Sequence, residues 1–371
     1  MIASAGIEFV DKRPTQRAES MADHSPDHTC RMPAEWEPHR ATWLAWPHRR
    51  SDWPGKFRVI AHVYGEIIRV LSRHEPVHIV VRSVADLGAA KRILRKYDAD
   101  PANVHWEVRA TDRSWVRDSG PIFAFDARGT KTALDWHFNA WAKYDDWKRD
   151  DTLPEFVAEC RGVPRVQPMF GDHRVVLEGG SIDVNGAGLM LTTEECLLSD
   201  VQQRNPGMGR TDYETVFDEY LGVEKVLWRN PGIAGDDTHG HVDDLARFVG
   251  PRTVVTVVED DPADANSAPL LENFERLMGF TDLDGHRLEV VRLPMPRPMV
   301  YAGQRLPASY ANFYIANGVV LVPTFNDPAD RLALGILAEL FPGREVIGIH
   351  CVDLVWGLGT LHCMTQQEPA G

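Results

Sequence analysis

Four stretches of this chain repeat one pattern, in which a polar cluster precedes two short apolar runs joined by a turn. The clusters begin at intervals of 60, 63 and 69 residues, at Asp118, Glu178, His241 and Tyr310. Two of the turns, Asn185-Gly186 and Asn317-Gly318, are Asn-Gly pairs, which favour the tight turn of a β-hairpin. The regular spacing predicts repeated hairpins with a polar cluster at the same point of each repeat.

Helix-like segments lie between these hairpins, with apolar residues at three- and four-residue spacing. They span about 56–73, 84–97, 151–161, 210–221, 267–279 and 328–341. Most are followed by a short strand-like run, as in "PVHIVV", "VHWEV", "EKVLW", "LEVVRL" and "EVIGIH". The alternation predicts an α/β fold.

A fifth repeat would begin near Cys363, 51 residues beyond Asn312, but the chain leaves room there for only half a hairpin. The early run "ATWLAWP", from Ala41 to Pro47, has no partner of its own. If the two ends of the chain pair, the five units close into a ring. Cys363 then faces the same axis as the other polar clusters.

The clusters contain the groups needed for nucleophilic chemistry on a cation. His241 and Asp243 are two residues apart and share a face if the segment is extended. Glu178 precedes a Gly-Gly pair that permits close backbone approach, and Asp118 precedes a Gly-Pro turn. With Cys363, these residues supply a thiol nucleophile, an imidazole acid/base and carboxylates, which suit attack on a planar guanidinium.

The composition narrows the classes of partner. A formal net charge of −14 and a pI near 5.5 disfavour a nucleic-acid or acidic membrane surface and suit a small cationic ligand. No apolar stretch approaches the length of a membrane span. Five cysteines without close spacing predict reduced thiols and a cytoplasmic location. Residues 1–30 lack the apolar core of a signal peptide and are expected to be a disordered lead, with Met21 as an alternative start.

Several motifs together resemble the agmatine deiminase family, also known as the bacterial, Porphyromonas-type peptidylarginine deiminases. They are "MPAEWEPHRATWLAWP", "WVRDSGP", "FNAW", "EGGSIDVNGAGLMLTTEECLL", "DDTHGHVDDLARFV", "SYANFYIANGVVLVPTFND" and "HCMTQQEP". The resemblance covers about Arg31 to Pro369. It implies the pentein fold, a five-bladed α/β propeller of ββαβ units, with residues 31–371 as a single catalytic domain.

The resemblance also implies roles for individual residues. Cys363 would attack the guanidinium carbon and His241 would act as the general acid/base. Asp118 and Asp243 would grip the guanidinium, Glu178 would orient His241, and Asp237 would hold a distal amine. Trp115 is a candidate to line the alkyl part of the substrate. The implied reaction converts agmatine and water to N-carbamoylputrescine and ammonia for putrescine biosynthesis, with no metal or organic cofactor; a homodimer is implied as well.

Physical chemistry adds one expectation for the thiol. Carboxylates around Cys363 should raise its pKa above about 8.5 in the free protein, and a bound cation should lower it. Of the other cysteines, Cys160, Cys196 and Cys351 are expected to serve packing.

Two motifs depart from the family pattern and leave the substrate open. "GLGTLHC" stands for the usual "GGGNIHC", and "FNAWAKYDDW" stands for "FNAWGG", so that Lys143 and Tyr144 replace a glycine hinge. Peptidylarginine or free arginine are therefore alternative substrates. Two other classes also stay open. One is a metallohydrolase that uses His239, His241, Asp243 and Asp244, and the other is a non-catalytic protein that binds cations.

Overall fold

The computed structural model describes residues 30–371. The expected disordered lead and the alternative start at Met21 therefore lie outside the described residues, except for Cys30. The α-helices are α1 Phe57–Leu71, α2 Val84–Leu94, α3 Val116–Ser119, α4 Leu153–Arg161, α5 Glu194–Leu198, α6 Arg210–Leu221, α7 Ser267–Gly279, α8 Ala329–Leu340 and α9 Leu361–Met364. The six helices expected from the sequence are present as α1, α2, α4, α6, α7 and α8, with ends that differ by no more than three residues.

The β-strands alternate with these helices. They are β1 His39–Ala45, β2 Val77–Val81, β3 Val104–Val108, β4 Ile122–Phe125, β5 Lys131–Leu134, β6 Arg165–Val166, β7 Met169–Phe170, β8 His173–Arg174, β9 Asp183–Val184, β10 Leu189–Thr193, β11 Lys225–Arg229, β12 Ala246–Phe248, β13 Thr253–Val258, β14 Glu289–Pro294, β15 Val300–Tyr301, β16 Gln304–Arg305, β17 Tyr314–Ala316, β18 Val319–Thr324, β19 Glu345–His350 and β20 Thr365–Pro369.

Four three-stranded sheets repeat one topology. In each, an antiparallel hairpin is followed by a helix that returns the chain to a third strand, parallel to the second. The sheets are β4-β5-β6, β9-β10-β11, β12-β13-β14 and β17-β18-β19. The four hairpin turns fall where the sequence predicts them. The helical crossover is what a parallel neighbour requires, because a tight turn joins only antiparallel strands.

The two ends of the described chain form the fifth sheet, in the order β20-β1-β2-β3. Strand β20 pairs antiparallel with β1, with Thr42 opposite Gln367 and Leu44 opposite Thr365. Strand β2 then pairs parallel with β1 after helix α1. This is the same ββαβ unit, assembled from both ends of the chain. The α/β class, the five repeated units and the pairing of the chain ends are thereby confirmed.

Amphipathic helices cover the sheets. Helix α1 buries Ile60, Tyr64, Ile67 and Leu71 at three- and four-residue spacing, as its sequence predicts. Helix α6 is capped after Leu221 by Gly222, whose φ of 66° is the left-handed conformation that glycine adopts without strain. Among residues 30–371, no helix combines the length and apolar character needed to cross a bilayer.

A buried carboxylate anchors the closing strand. Glu368, in β20, accepts a hydrogen bond from the indole of Trp43 in β1 (3.2 Å) and another from Lys131 Nζ (2.7 Å). Arg161 Nε lies 2.8 Å from Glu368 Oε2, the same oxygen atom that accepts from the Trp43 indole. Burial alone would raise the pKa of Glu368, but Lys131 and Arg161 outweigh it and lower the pKa. Glu368 thus joins β1, β5 and α4 to the end of the chain.

Replacing Glu368 with alanine should lower the free energy of unfolding by about 3 kcal/mol, because two mostly buried cations lose their carboxylate. Urea denaturation followed by circular dichroism measures this change. The matched control is Glu345→Ala, at an exposed position of β19, which should change the stability by less than about 0.5 kcal/mol. Equal effects of the two variants would contradict a role of Glu368 in closure.

Candidate active site

Short helical turns, not strand ends, position the site residues. Asp118 lies in α3 and Cys363 in α9, and both of these helices have four residues. Asp243 lies in a 3₁₀ turn, Val242–Asp244. The segment from His241 to Asp243 is thus not extended, so the shared strand face that an extended segment would give is not formed. A helical turn before three of the four hairpins, those that begin with β4, β9 and β12, satisfies backbone donors locally. An example is the bond from Gly120 N to the Val116 carbonyl (2.8 Å).

The sulfur of Cys363 is held between an amide and a carboxylate. Asn312 Nδ2 donates a hydrogen bond to Cys363 Sγ (3.1 Å), and Sγ lies 3.6 Å from Asp243 Oδ2. The other end of the Asn312 amide accepts hydrogen bonds from the Thr360 hydroxyl (2.7 Å) and the His362 backbone N–H (3.1 Å). The amide orientation is therefore fixed, and it directs a donor at the sulfur.

His241 lies between two carboxylates without bonding tightly to either. Its Nδ1 is 3.8 Å from Asp118 Oδ1, and its Nε2 is 3.7 Å from Glu178 Oε2. Both ring nitrogens, Glu178 Oε2 and Asp243 Oδ1 are buried and lack a hydrogen-bond partner within the described chain. Such groups are rare in folded proteins unless a ligand or water satisfies them. The two carboxylate oxygen atoms are therefore available to accept hydrogen bonds from a polar cation.

Gly180 is the point where three of these side chains meet. A Cβ atom at this position would lie 2.5 Å from His241 Nδ1, 2.9 Å from Asp118 Oδ1 and 3.1 Å from Asp243 Oδ2. The backbone N–H of Gly180 donates to Asp118 Oδ1 (3.0 Å). Only glycine leaves room for this arrangement, so the Gly-Gly pair after Glu178 does permit the close approach that the sequence predicts.

Asp243 belongs to a second buried charge network. His362 Nδ1 lies 2.7 Å from Asp243 Oδ2, and His362 Nε2 lies 2.8 Å from Glu35 Oε2. Glu35 also pairs with Arg247 (2.9 Å) and Arg117 (3.3 Å). Burial raises the pKa of Asp243, but the hydrogen bond from His362 outweighs it and lowers the pKa. This network keeps the Asp243 carboxylate charged and oriented.

The pKa values around the thiol follow from burial and charge. Burial, with Asp243, Asp244 and Asp118, raises the pKa of Cys363 well above its ordinary value, as the sequence predicts. Burial raises the pKa of Asp118 to about 6, with Asp243 adding to the shift. Burial disfavours the imidazolium form of His241, but Asp118, Cys196 and Glu178 raise its pKa well above normal. At neutral pH these shifts favour a neutral thiol and a charged imidazole.

Glu178 is kept ionised by an arginine that the sequence analysis did not single out. Arg204 Nε donates to Glu178 Oε1 (2.9 Å), and both side chains are fully buried. Burial would raise the pKa of Glu178, but Arg204 and His241 lower it to about 2. One carboxylate oxygen thus bonds to Arg204, and the other faces the imidazole.

These groups lie at the end of a cavity of about 230 Å³. Trp115 lines this cavity, and its indole donates to Asp52 Oδ2 (3.2 Å). Asp237 also lines it and accepts hydrogen bonds from Lys143 and Tyr144. Of the three bulky replacements in "GLGTLHC", only Leu358 borders the cavity. Cys363, Asp118, Asp237 and Trp115 thus line the cavity. His241 and Asp243 contact lining residues, and Glu178 contacts His241.

The proposed metal ligands do not form one group. His239 Nε2 lies 3.1 Å from the Ser199 hydroxyl, whereas His241 faces Asp118 and Glu178. Within residues 30–371, the sets of three candidate ligand atoms close enough for one ion are Glu178 with Cys196 and His241, and Asp282 with Asp284 and His286. The run from His239 to Asp244 thus does not supply the ligand set that the metallohydrolase alternative needs.

Several residues of the site were not predicted from the sequence. Asn312 appeared there only as part of a repeated cluster, and His362 was not given a role. Cys196 was assigned to packing, and it is buried as expected, but it also lies beside His241 and Glu178. The packing role of Cys160 was wrong, because this residue is exposed at the end of α4. The repeat itself could have indicated Asn312, since it occupies the position of the other cluster residues.

A buried thiol beside a cavity, with an imidazole and three carboxylates around it, is a set of groups suited to an enzyme that acts on a cationic substrate. The family model of the Porphyromonas-type peptidyl-arginine deiminases matches residues 31–369. The chain belongs to this family. The enzyme class expected from the sequence, a C–N hydrolase acting on guanidino groups, is thereby confirmed.

Individual relatives agree with this assignment. An agmatine deiminase of Pseudomonas fluorescens is 36% identical over 365 residues, which cover 91% of this chain and 95% of the relative. A solved agmatine deiminase of Enterococcus faecalis has a TM-score of 0.84 and 33% identity, covering 92% of this chain and 96% of its own. An agmatine deiminase variant of C. jejuni with substrate bound has a TM-score of 0.82 and 30% identity, covering 93% and 97%.

Gly180→Ala should lower kcat/KM by about a hundredfold or more, because the new methyl group displaces His241 and both aspartates by roughly an ångström. Steady-state kinetics and a thermal melt measure activity and folding separately. Gly335→Ala is the control. It also replaces a glycine by alanine, in helix α8, but the new Cβ atom meets nothing within 4 Å. Full activity in Gly180→Ala would show that the cluster tolerates the extra group.

Alkylation of Cys363 by iodoacetamide should be slow at neutral pH in the free protein and should accelerate above pH 9, because the thiol pKa is raised. Asp243→Asn removes a nearby negative charge and should lower the midpoint of this profile. Mass spectrometry of the Cys363 peptide measures the rate and separates it from labelling of the exposed Cys160. A midpoint that is the same in both proteins would contradict the electrostatic account.

Proposed function

We propose that this chain is an agmatine deiminase, which converts agmatine and water to N-carbamoylputrescine and ammonia. The observation that carries this proposal is the convergence of His241, Asp118 and Asp243 around Gly180, with Cys363 beside Asp243 and Glu178 beside His241. Asp118 and Cys363 open onto one cavity. The names of the relatives support the choice of agmatine. Peptidylarginine and free arginine are the alternative substrates.

Binding places the guanidinium between Asp118 and Asp243. Asp243 Oδ1 has no partner within the described chain, and charge-assisted N–H···O bonds to a planar guanidinium are strong and directional. The substrate cation offsets the negative charges that raise the pKa of Cys363. The thiol therefore loses its proton to solvent when the cation binds, and the thiolate lies close to the guanidinium carbon.

The first chemical step forms a carbon–sulfur bond. The Cys363 thiolate attacks the guanidinium carbon, and the His241 imidazolium gives its proton to one terminal amine. Ammonia leaves, and the product is a covalent amidino-thioether with His241 neutral. Glu178 stabilises the charged imidazole before this transfer, at 3.7 Å from Nε2. Holding the reactants in place in this way contributes up to roughly 7–11 kcal/mol in favourable systems.

The second step reverses the roles. Neutral His241 takes a proton from water, and the resulting hydroxide adds to the same carbon. The carbon–sulfur bond then breaks and the ureido product leaves. The added hydroxyl loses its proton to solvent, where the released ammonia takes it up as ammonium. Cys363 returns as a thiolate and His241 as an imidazolium. The balance is one water consumed and one ammonium released, and it requires neither an oxidant nor a metal.

The distal part of the substrate lies toward Asp237 in this proposal. Trp115 lines the same cavity as Cys363 and Asp237, so we assign it to the alkyl chain. We further propose that residues 31–371 act as one catalytic domain. The homodimer and the cytoplasmic location stay predictions, for which the mass in solution and cell fractionation are the tests.

Detection of ureido product and ammonia from agmatine, arginine and a peptidylarginine panel tests the function. We expect the highest kcat/KM with agmatine, loss of at least about 10³-fold in Cys363→Ala, and near-normal rates in Cys160→Ala. Activity should survive EDTA and should be lost once iodoacetamide has alkylated Cys363 at alkaline pH. Faster turnover of arginine or peptides would overturn the substrate, and an active Cys363→Ala variant would overturn the mechanism.

A further inference from the structure

Both oxygen atoms of the Asp237 carboxylate are already occupied in the structure. Lys143 Nζ donates to Oδ1 (2.6 Å), and the Tyr144 hydroxyl donates to Oδ2 (2.6 Å). The Asp237 side chain is 20% exposed and the Lys143 side chain is 37% exposed. A substrate amine that approaches Asp237 therefore meets a carboxylate whose charge is balanced by a lysine of the same chain.

A continuous line of contacts connects this carboxylate to the catalytic cluster. The Trp141 indole donates to Asp118 Oδ2 (2.9 Å) at the inner end. The Trp141 ring packs edge-on against Tyr144, with 6.0 Å between the ring centroids. Gln202 then donates to the carbonyls of both Trp141 (3.1 Å) and Asp237 (3.2 Å). The position of Lys143 is thus set by the segment that also helps to hold Asp118.

Apart from Asp118 and Asp237, the charged residues of the described chain that line the cavity are Asp52 and Arg113, and these two are paired with each other. Arg113 contacts Asp52 Oδ1 (2.8 Å) and Asp146 Oδ1 (2.9 Å). Its guanidinium also lies over the Tyr144 ring, 4.2 Å from the centroid. Asp52 is thus paired with Arg113, and Asp237 is paired with Lys143. The net charge offered to a distal group consequently depends on whether Lys143 remains on Asp237.

We propose that Lys143 is a specificity-determining residue, whose ammonium group occupies the Asp237 carboxylate and must be displaced by the distal amine of a cationic substrate. This inference rests on the proposed guanidine deimination at Cys363. Lys143 lowers the preference for a cationic tail and makes guanidino compounds with neutral or anionic tails better competitors. An anionic tail gains an attraction to Lys143 and a neutral tail leaves the Lys143–Asp237 pair intact.

Three guanidines of similar length separate these effects. Agmatine has a cationic tail, butylguanidine a neutral one and 5-guanidinopentanoate an anionic one. In Lys143→Ala, we expect KM to fall about two- to fivefold for agmatine and to rise by a similar factor for 5-guanidinopentanoate, the range of partly exposed ion pairs. KM for butylguanidine and all three kcat values should stay within about twofold of the wild type.

Two further variants provide controls. Lys148→Ala removes the same charge from an exposed residue nearby and should leave all three KM values unchanged. Lys143→Arg keeps the charge and should retain the wild-type order of substrates. An unchanged or raised KM for agmatine in Lys143→Ala, or an equal change for all three compounds, would overturn the proposal.

Binding measurements keep this test separate from the proposed function. Calorimetry in a Cys363→Ala background, with and without Lys143→Ala, gives the Kd of each guanidine without turnover. Absence of agmatine turnover by the wild-type enzyme would contradict the proposed function, while the ratio of Kd values would still decide the role of Lys143. Absence of binding by all three guanidines would overturn both.

Discussion

The antiparallel pairing of β20 with β1 is the interaction on which the site depends. Cys363 lies in α9, which directly precedes β20. The position of the sulfur therefore depends on the position of this strand. The strand is fixed by its register with β1 and by Glu368. The N-terminal segment contributes to the same closure, because Glu35 bonds to His362 and accepts from Ile315 N (2.8 Å). A terminal strand of five residues is thereby as constrained as an internal one.

Closure brings together more negative charge than an apolar core tolerates without compensation. The site balances it with buried cations at a distance from the sulfur. Arg204 is paired with Glu178, and Arg247 with Asp183 and Glu35. None of these arginines lines the cavity. Within the described chain, the two aspartates beside the sulfur, Asp118 and Asp243, have no arginine or lysine partner. This favours a guanidinium and keeps the Cys363 thiol protonated until one binds.

Sequence reasoning recovered most of the fold because its signals were local and repeated. Asn-Gly turns and helical periodicity depend on neighbouring residues. The regular spacing of the clusters predicted that Asp118, Glu178 and His241 share one site. The one-turn helices were missed because four residues carry too little periodicity to separate a helical turn from a strand end. His362 was missed for a related reason. In α9 it points toward Asp243 and Glu35, and Glu35 is 327 positions away.

The departure at "FNAWAKYDDW" shows how a local cost can fix a functional contact. Ala140, Trp141 and Ala142 have φ values of 52°, 59° and 51°, and left-handed conformations cost non-glycine residues roughly 1–2 kcal/mol each. Such a segment persists only when its surroundings determine it. Here, Asn139 Oδ1 accepts from Ala142 N (2.8 Å), Gln202 bonds to the Trp141 carbonyl, and the Trp141 indole bonds to Asp118. These contacts impose the backbone from which Lys143 reaches Asp237.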